Sequence, residues 1–312
     1  MGFPLTGTTP EEKLKELTDK LEQGVREIFT SGRYAEYLAA MSKFHSYSFG
    51  NVMLILMQNP AATHVAGFQA WKKNFERTVK AGEHGLKILA PCPYRRFIEQ
   101  DRLDTNGKPL LDANGKPLRE RTLVQLMRFR IVTVFDISQT EGKELPSIGV
   151  SELSGNITQF EELANAITGV SPVPILYETP HGAAKGCFNH VTEEILIRPG
   201  MSQKQTVKTM LHEISHATLH RRKKNEPPSK DQHTHEVEAE SVAYVVCQHF
   251  GIDTSDYSFG YVAGWSKGKD LDELKSSLDT IRSCATGLID AIESKCPSLQ
   301  PKKEPTQSFP ER

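Results

Sequence analysis

Apolar positions along the chain change period several times, and the changes mark out its elements. Leu14, Leu17, Leu21, Val25 and Ile28 recur at three- and four-residue intervals, the spacing of one buried helix face. Ahead of them, Thr9-Pro10-Glu11-Glu12 has the order of a helix start. Thr9 can cap, Pro10 suits the first helical position and Glu12 can close a capping box. Ser31-Gly32 ends this helix. A second helix is predicted over Tyr34–Met41, and a third after Ser48 through Val52–Met57, stopping before Pro60. Beyond His64 the pattern loosens. Trp71–Phe75 reads as a short helix or turn, Lys80–Gly85 as a tight turn, and Leu86–Ala90 as a strand stopped by Pro91. Phe129, Ile131, Thr133 and Phe135 alternate along a strand over Arg128–Asp136.

Between those strands one phrase occurs twice: Thr105-Asn106-Gly107-Lys108-Pro109-Leu110 and Ala113-Asn114-Gly115-Lys116-Pro117-Leu118. Paired Asn-Gly steps predict tight turns, and the stretch from about 101 to 121 is expected to be a surface insertion. Glu141–Ser154 reads as a linker. A second unit follows, with a helix over Thr158–Thr168, short strands at Ile175–Tyr177 and Glu194–Ile197, and helices over Gln203–His220, Glu236–Phe250 and Asp270–Ser294. The expected class is therefore α+β in two domains. Residues 1–145 form an α+β domain, residues 150–295 a mainly helical domain with a small sheet, and residues 296–312 a polar, disordered tail.

Composition narrows the class without naming a chemistry. Hydrophobic residues make up 38% of the 312 and charged residues 25%, with a net charge of −1, so the chain as a whole has no polyanion-binding balance. Five widely spaced cysteines with no CxxC pair argue against a disulfide framework and fit a reducing, cytoplasmic setting. No signal peptide is read at the N-terminus and no stretch has membrane-spanning length, so no membrane partner is expected.

The chemistry is concentrated in His212-Glu213-Ile214-Ser215-His216. His212 and His216 lie one helical turn apart and project from the same face, so both imidazoles can reach one zinc ion. Glu213 is placed to take a proton from water at the metal and pass one to a leaving amine. A catalytic zinc needs a third protein ligand, and Glu236 on the next predicted helix is the candidate, with Glu238 its rival. The arrangement resembles thermolysin-like gluzincins, in which a glutamate on a neighbouring helix is the third ligand. An acidic residue four positions later supports the first histidine, the place Glu240 holds here. A metzincin would need histidine at position 222, which is Arg222. His220, His233 and His235 read as exposed or loop histidines, and the donor that stabilises an oxyanion is left open, with Tyr261 one candidate.

Between Lys72 and Arg130 there are fourteen basic residues against seven acidic ones, interleaved with Phe75, Tyr94, Phe97 and Phe129 and preceded by Phe68 and Trp71. Basic groups beside aromatic rings suit single-stranded nucleic acid, whose phosphates are neutralised while its bases stack. The same pattern is also what a solvated strand face over core aromatics produces.

Met41–Asn51, Val65–Trp71 and Gly82–Ile88 together resemble the N-terminal domain of ArdC-type antirestriction proteins. The second half, with His212–His216 and Glu236–Val246, resembles the zincin-like metallopeptidase domain that follows it and is similar to the ImmA/IrrE metallo-endopeptidases. The resemblance runs over roughly residues 10 to 292. It implies a single-stranded-DNA-binding domain joined to a zinc metallopeptidase, carried on a mobile element and protecting incoming DNA from restriction. On that basis Lys43, Tyr47, Trp71, Lys72, Lys73, Arg77, Lys80 and Lys87 are the expected DNA contacts, and an unidentified protein is the expected substrate. Two alternatives stand beside this. One is a DNA-binding protector whose zinc is mainly structural, and the other a regulatory protease that cuts a repressor.

Overall fold

Three helices open the chain in the computed structural model, which describes residues 3–102, 104–105, 108–112, 114–145, 157–221, 230–252, 254, 257 and 259–296. Helix α1 (Pro10–Thr30) starts with the expected capping box: the Thr9 hydroxyl accepts from Glu12 N, and the Glu12 carboxylate turns back to the Thr9 amide. Its periodic face, Leu17, Leu21, Val25 and Ile28, is buried. Helix α2 (Tyr34–Lys43) and helix α3 (Phe49–Gln58) follow, the latter capped by the Ser48 hydroxyl. Strand β1 (Val65–Gly67), helix α4 (Phe68–Phe75) and strand β2 (Arg77–Val79) lead into two long strands, β3 (Leu86–Asp101) and β4 (Arg119–Asp136), and then the short β5 (Thr140–Gly142). β4 lies between β1 and β3, and β2 pairs antiparallel with β5.

The strand expected to end at Pro91 instead runs on through Pro93 to Asp101. Proline cannot donate to a ladder, but β3 is an outer strand of its sheet, so one of its edges needs no donors. The doubled Asn-Gly phrase falls between β3 and β4 in sequence, and its Asn106, Gly107 and Ala113 lie outside the described residues. The Asp112 carboxylate accepts from Asn114 N and Lys116 N, and Asp104 accepts from Lys108 N.

The second half contains α5 (Ile157–Val170), β6 (Ile175–Leu176), β7 (Gly186–Asn189), β8 (Glu194–Ile197), α6 (Gln203–Leu219), α7 (Gln232–His249), α8 (Val262–Ser266) and α9 (Leu271–Lys295). β8 is central, parallel to β6 and antiparallel to β7. β7 is too short to show a period and has no counterpart among the expected elements. α7 begins one turn earlier than expected because Asp231 caps it, accepting from Thr234 N at 2.9 Å. Much of the expected linker, Arg222 and the tail from residue 297 lie outside the described residues.

The fold is α+β, and its packing divides into two compact units. One joins the described residues up to Lys87 with those from Thr133 to Cys296; the other is Ile88–Val132, the long ribbon. In the first unit the opening helices share a core with the closing ones. Tyr34 Oη lies 2.9 Å from Ser241 Oγ, the Phe29 ring meets Trp265, and Lys275 Nζ reaches Glu22 at 2.8 Å. The expected boundary near residue 145 is thus a division of the sequence, and this grouping by packing is a different one. The ribbon carries exposed apolar side chains, among them Phe97, Leu123, Met127 and Phe129. Among the described residues no helix is long and apolar enough to cross a membrane.

Candidate metal centre

Helix α6 is buried on nearly every side. Thr209, Met210, Leu211, Ile214, Ser215 and Ala217 all face the interior, which fixes its roll and turns His212 and His216 toward α7. On α7, Glu236 and Glu240 are one turn apart and face them. The His212 and His216 Nε2 atoms are 3.1 Å apart. Glu236 places one oxygen 3.5 Å from His212 Nε2 and the other 3.6 Å from His216 Nε2. A tetrahedral site with ligands about 2.0–2.1 Å from its ion has edges of about 3.3–3.4 Å, so these three donors already have the spacing of one coordination face. Among the described residues this is the group of histidine and carboxylate donors that could hold a metal ion.

Glu240 Oε2 lies 3.1 Å from His212 Nδ1. That nitrogen is buried, and the contact is an ion-pair distance whose angle falls short of a hydrogen bond. A small carboxylate rotation would make it one, fixing the tautomer that leaves Nε2 free to coordinate. The rival ligand Glu238 points elsewhere: it is buried and pairs with His220 Nε2 at 3.2 Å and Lys230 Nζ at 2.5 Å. His220 is therefore a core residue and not an exposed histidine, with His235 stacked on it at 4.0 Å between ring centroids. The helical period that places His220 on the His212–His216 face was the available sign of this.

Glu213 is buried at 8% exposure, and its Oε2 accepts from Phe188 N at 2.8 Å. Burial pushes its carboxyl pKa up, opposed by His212 and His216. A carboxyl raised in this way is better matched to proton transfer near neutrality than an exposed one. For Glu236, hydrogen bonding to His212 and then His216 holds the carboxyl far below the usual range. Burial works against protonation of His212, but the carboxylates of Glu236 and Glu240 prevail and raise it. A cation at this point would take over the role that the proton plays between these groups.

Gly186 was missed by sequence reasoning. It lies on β7 beside α6, and a Cβ there would come within 2.5 Å of Thr209 Cγ2 and 2.9 Å of Glu213 Cγ. It also lines a cleft of about 380 Å³ with Lys185, Gln205, Lys208, His212, Glu213, Glu240 and Tyr257. Partial burial, and then the charges of Glu240 and Glu236, push the Tyr261 hydroxyl pKa upward.

The expected DNA contacts divide. Lys43, Lys72, Lys73 and Lys80 are exposed. Trp71 is 1% exposed and donates from Nε1 to Phe135 O at 2.9 Å, and Tyr47 is buried with its hydroxyl donating to Val65 O. Neither ring faces solvent. Each has a carbonyl within reach for its polar tip, which makes burial cheap. Arg77 donates to Thr140 Oγ1 and O and to the Gly142 and Lys143 carbonyls, and Lys87 Nζ donates to Thr133 Oγ1 at 2.7 Å.

Residues 9–135 match the family model of the N-terminal domain of the anti-restriction factor ArdC, and residues 174–248 that of the IrrE N-terminal-like domain, a peptidase M78 family. The chain thus joins a match to the ArdC N-terminal domain to a match to the IrrE N-terminal-like domain. An uncharacterized protein of Bacillus anthracis is 27% identical over 337 aligned positions, which take in 96% of this chain and 55% of the relative. The chain thus spans about half the length of the curated relative it matches. The crystal structure of the antirestriction ArdC protein from the R388 plasmid with Mn(II) bound aligns at a TM-score of 0.51 and 16% identity, covering 92% of this chain and 98% of that one. The metal-free crystal structure of the same protein aligns at 0.47 and 18% identity, covering 81% and 86%. The likeness to the Mn(II)-bound structure is one of fold.

Proposed function

We propose that this chain is a metal-dependent endopeptidase, with zinc the preferred ion, joined to a single-stranded-DNA-binding region and acting in antirestriction. The observation that carries the reading is the convergence of His212 Nε2, His216 Nε2 and Glu236 within 3.1–3.6 Å of one another, beside a buried glutamate. A divalent ion held there would supply a Lewis acid that polarises a carbonyl and acidifies water. The protein does the rest. Glu236 contributes the negative charge of the donor set, and Glu240 holds His212 in the tautomer with Nε2 free. Glu213, fixed by Phe188 N–H, accepts the proton of the attacking water and returns one to the departing amine. Tyr261 is the candidate donor to the developing oxyanion.

The ArdC N-terminal match over residues 9–135 supports the DNA-binding part. With Trp71 and Tyr47 in the core, the stacking role passes to rings that face solvent: Phe68, Phe97 and Phe129, each about half exposed. Arg121 lies over Phe97 at 5.3 Å, which sets a cation beside an aromatic face. Lys43, Lys72, Lys73 and Lys80 supply further positive charge.

Glu213→Gln tests the peptidase reading. The variant should retain metal yet lose casein cleavage by at least a hundredfold, and an unchanged cleavage rate would sink the proposal. Survival of transferred DNA under restriction, measured on the same variant, separates a peptidase from a protector whose metal is structural, because only the latter survives Glu213→Gln unharmed.

A further inference from the structure

His220 is a histidine that neither the candidate ligand set nor the candidate chemistry uses, yet it is buried beside both. It closes α6 one turn beyond His216, and its Nδ1 lies 3.0 Å from His216 Nδ1. Its Nε2 lies 3.2 Å from Glu238 Oε2, and Glu238 Oε1 receives Lys230 Nζ. Glu238 is 1% exposed and His220 7%, so this is a built chain of polar groups and not a surface accident.

Proton placement along this chain has one consistent direction once His216 coordinates through Nε2. His216 Nδ1 must then carry the hydrogen and donate it to His220 Nδ1. His220 accepts there, so its own hydrogen sits on Nε2 and is donated to Glu238. Lys230 donates to the other Glu238 oxygen, and the carboxylate ends the chain as a pure acceptor. The His235 ring, stacked on His220 with an interplanar angle of 17°, holds the imidazole plane in the orientation this requires.

We propose that His220 is the positioning residue for His216, with Glu238 and Lys230 fixing its tautomer. The two metal-facing histidines would then be held differently, His212 directly by the Glu240 carboxylate and His216 through an interposed imidazole. This inference rests on reading His212, His216 and Glu236 as a metal site.

Two polar replacements separate the ends of His220. Asparagine can offer an oxygen near the place of Nδ1 and so can still accept from His216. Glutamine reaches the place of Nε2 and meets Glu238 but leaves His216 Nδ1 unpartnered. Zn(II) affinity of the full chain, measured by chelator competition, and the visible spectrum of the Co(II)-loaded protein are the readouts. Unfolding of the metal-free protein is followed alongside.

His220→Gln is expected to weaken Zn(II) binding by about 10–100-fold and shift the Co(II) bands, whereas His220→Asn stays near wild type. Lys230→Met, at the partly exposed end of the chain, is expected to weaken binding severalfold without loss of fold. Equal affinities for the two His220 variants, or an unfolding midpoint that drops in His220→Gln while affinity holds, assigns His220 to packing and overturns the proposal. Unchanged affinity in Lys230→Met does the same should His220→Gln fail to fold. Wild-type protein that binds no Zn(II), or binds it equally after His212→Ala, refutes the metal site itself and this inference with it.

Discussion

Gly186 and Glu213 touch: a Cβ atom on residue 186 would stand 2.9 Å from Glu213 Cγ and 3.0 Å from its Oε1. The backbone of β7 thus forms one wall of the slot that holds the glutamate, while Phe188 N–H two residues on anchors its Oε2 at 2.8 Å. Gly186→Ala should push the Glu213 side chain out of line without touching the three donor atoms. The expected result is a loss of cleavage of at least tenfold with metal affinity nearly unchanged, and overpacking should cost about 1–3 kcal/mol of stability. Parallel loss of metal and activity would show that β7 supports the donors and not the glutamate.

Glu236 and Glu240 face the same histidine from successive turns of α7, yet removing them should differ in kind. Glu236→Ala deletes a donor atom and should abolish tight binding. Glu240→Ala leaves three donors and should weaken binding by about 10–100-fold, because His212 loses the group that selects its tautomer. Calorimetric titration with Zn(II) and Mn(II) distinguishes the two, and identical affinities for the variants would count against the assignment of roles.

How much of this was visible in the sequence varies with range. The cap at Thr9, the face of α1 and the joint projection of His212 and His216 are local, set by periods and hydrogen bonds within a few residues, and they were legible. Glu236 was legible as one of two candidates, since helical register decides between it and Glu238 and the start of α7 depends on Asp231. The anchoring of Glu213 by Phe188 N–H and the burial of Trp71 depend on partners 25 and 64 residues away, and no local pattern encodes them; the helical period gives the face of His220 but not its partner Glu238, 18 residues on. The continuation of β3 through Pro91 and Pro93 was hidden for another reason: proline is excluded from a central strand but tolerated at an edge, and edge position is a property of the sheet.

Asp231 caps α7, the helix that carries Glu236. Hydrogen bonding from the Thr234 hydroxyl and amide, together with Lys269, lowers its carboxyl pKa to about 2. Its ionised form therefore contributes stability that is fully present above the ordinary carboxylate pKa of about 4 and is lost as pH falls through about 2. Asp231→Ala should cost about 1 kcal/mol as a lost cap at neutral pH. The gap between the two unfolding curves should narrow below pH 4. A gap that stays constant down to pH 2 would mean that the charge contributes nothing.

The burial of Trp71 makes a sharp prediction about the DNA-binding part. Trp71→Ala removes a ring that is 1% exposed and a hydrogen bond to Phe135 O, and should destabilise the protein by about 3–5 kcal/mol. Phe97→Ala and Phe129→Ala remove rings that are 56% and 52% exposed and should leave the unfolding midpoint nearly unchanged. If these exposed rings are the stacking surface, each loses about 1–3 kcal/mol of affinity for a single-stranded oligonucleotide, read by fluorescence anisotropy at fixed salt. Trp71→Phe, which keeps most of the core volume, should then bind like wild type once folded. The opposite pattern, with Trp71→Phe weak and the two phenylalanine variants unaffected, would return the nucleic-acid surface to α4 and require the Trp71 ring to leave the core on binding.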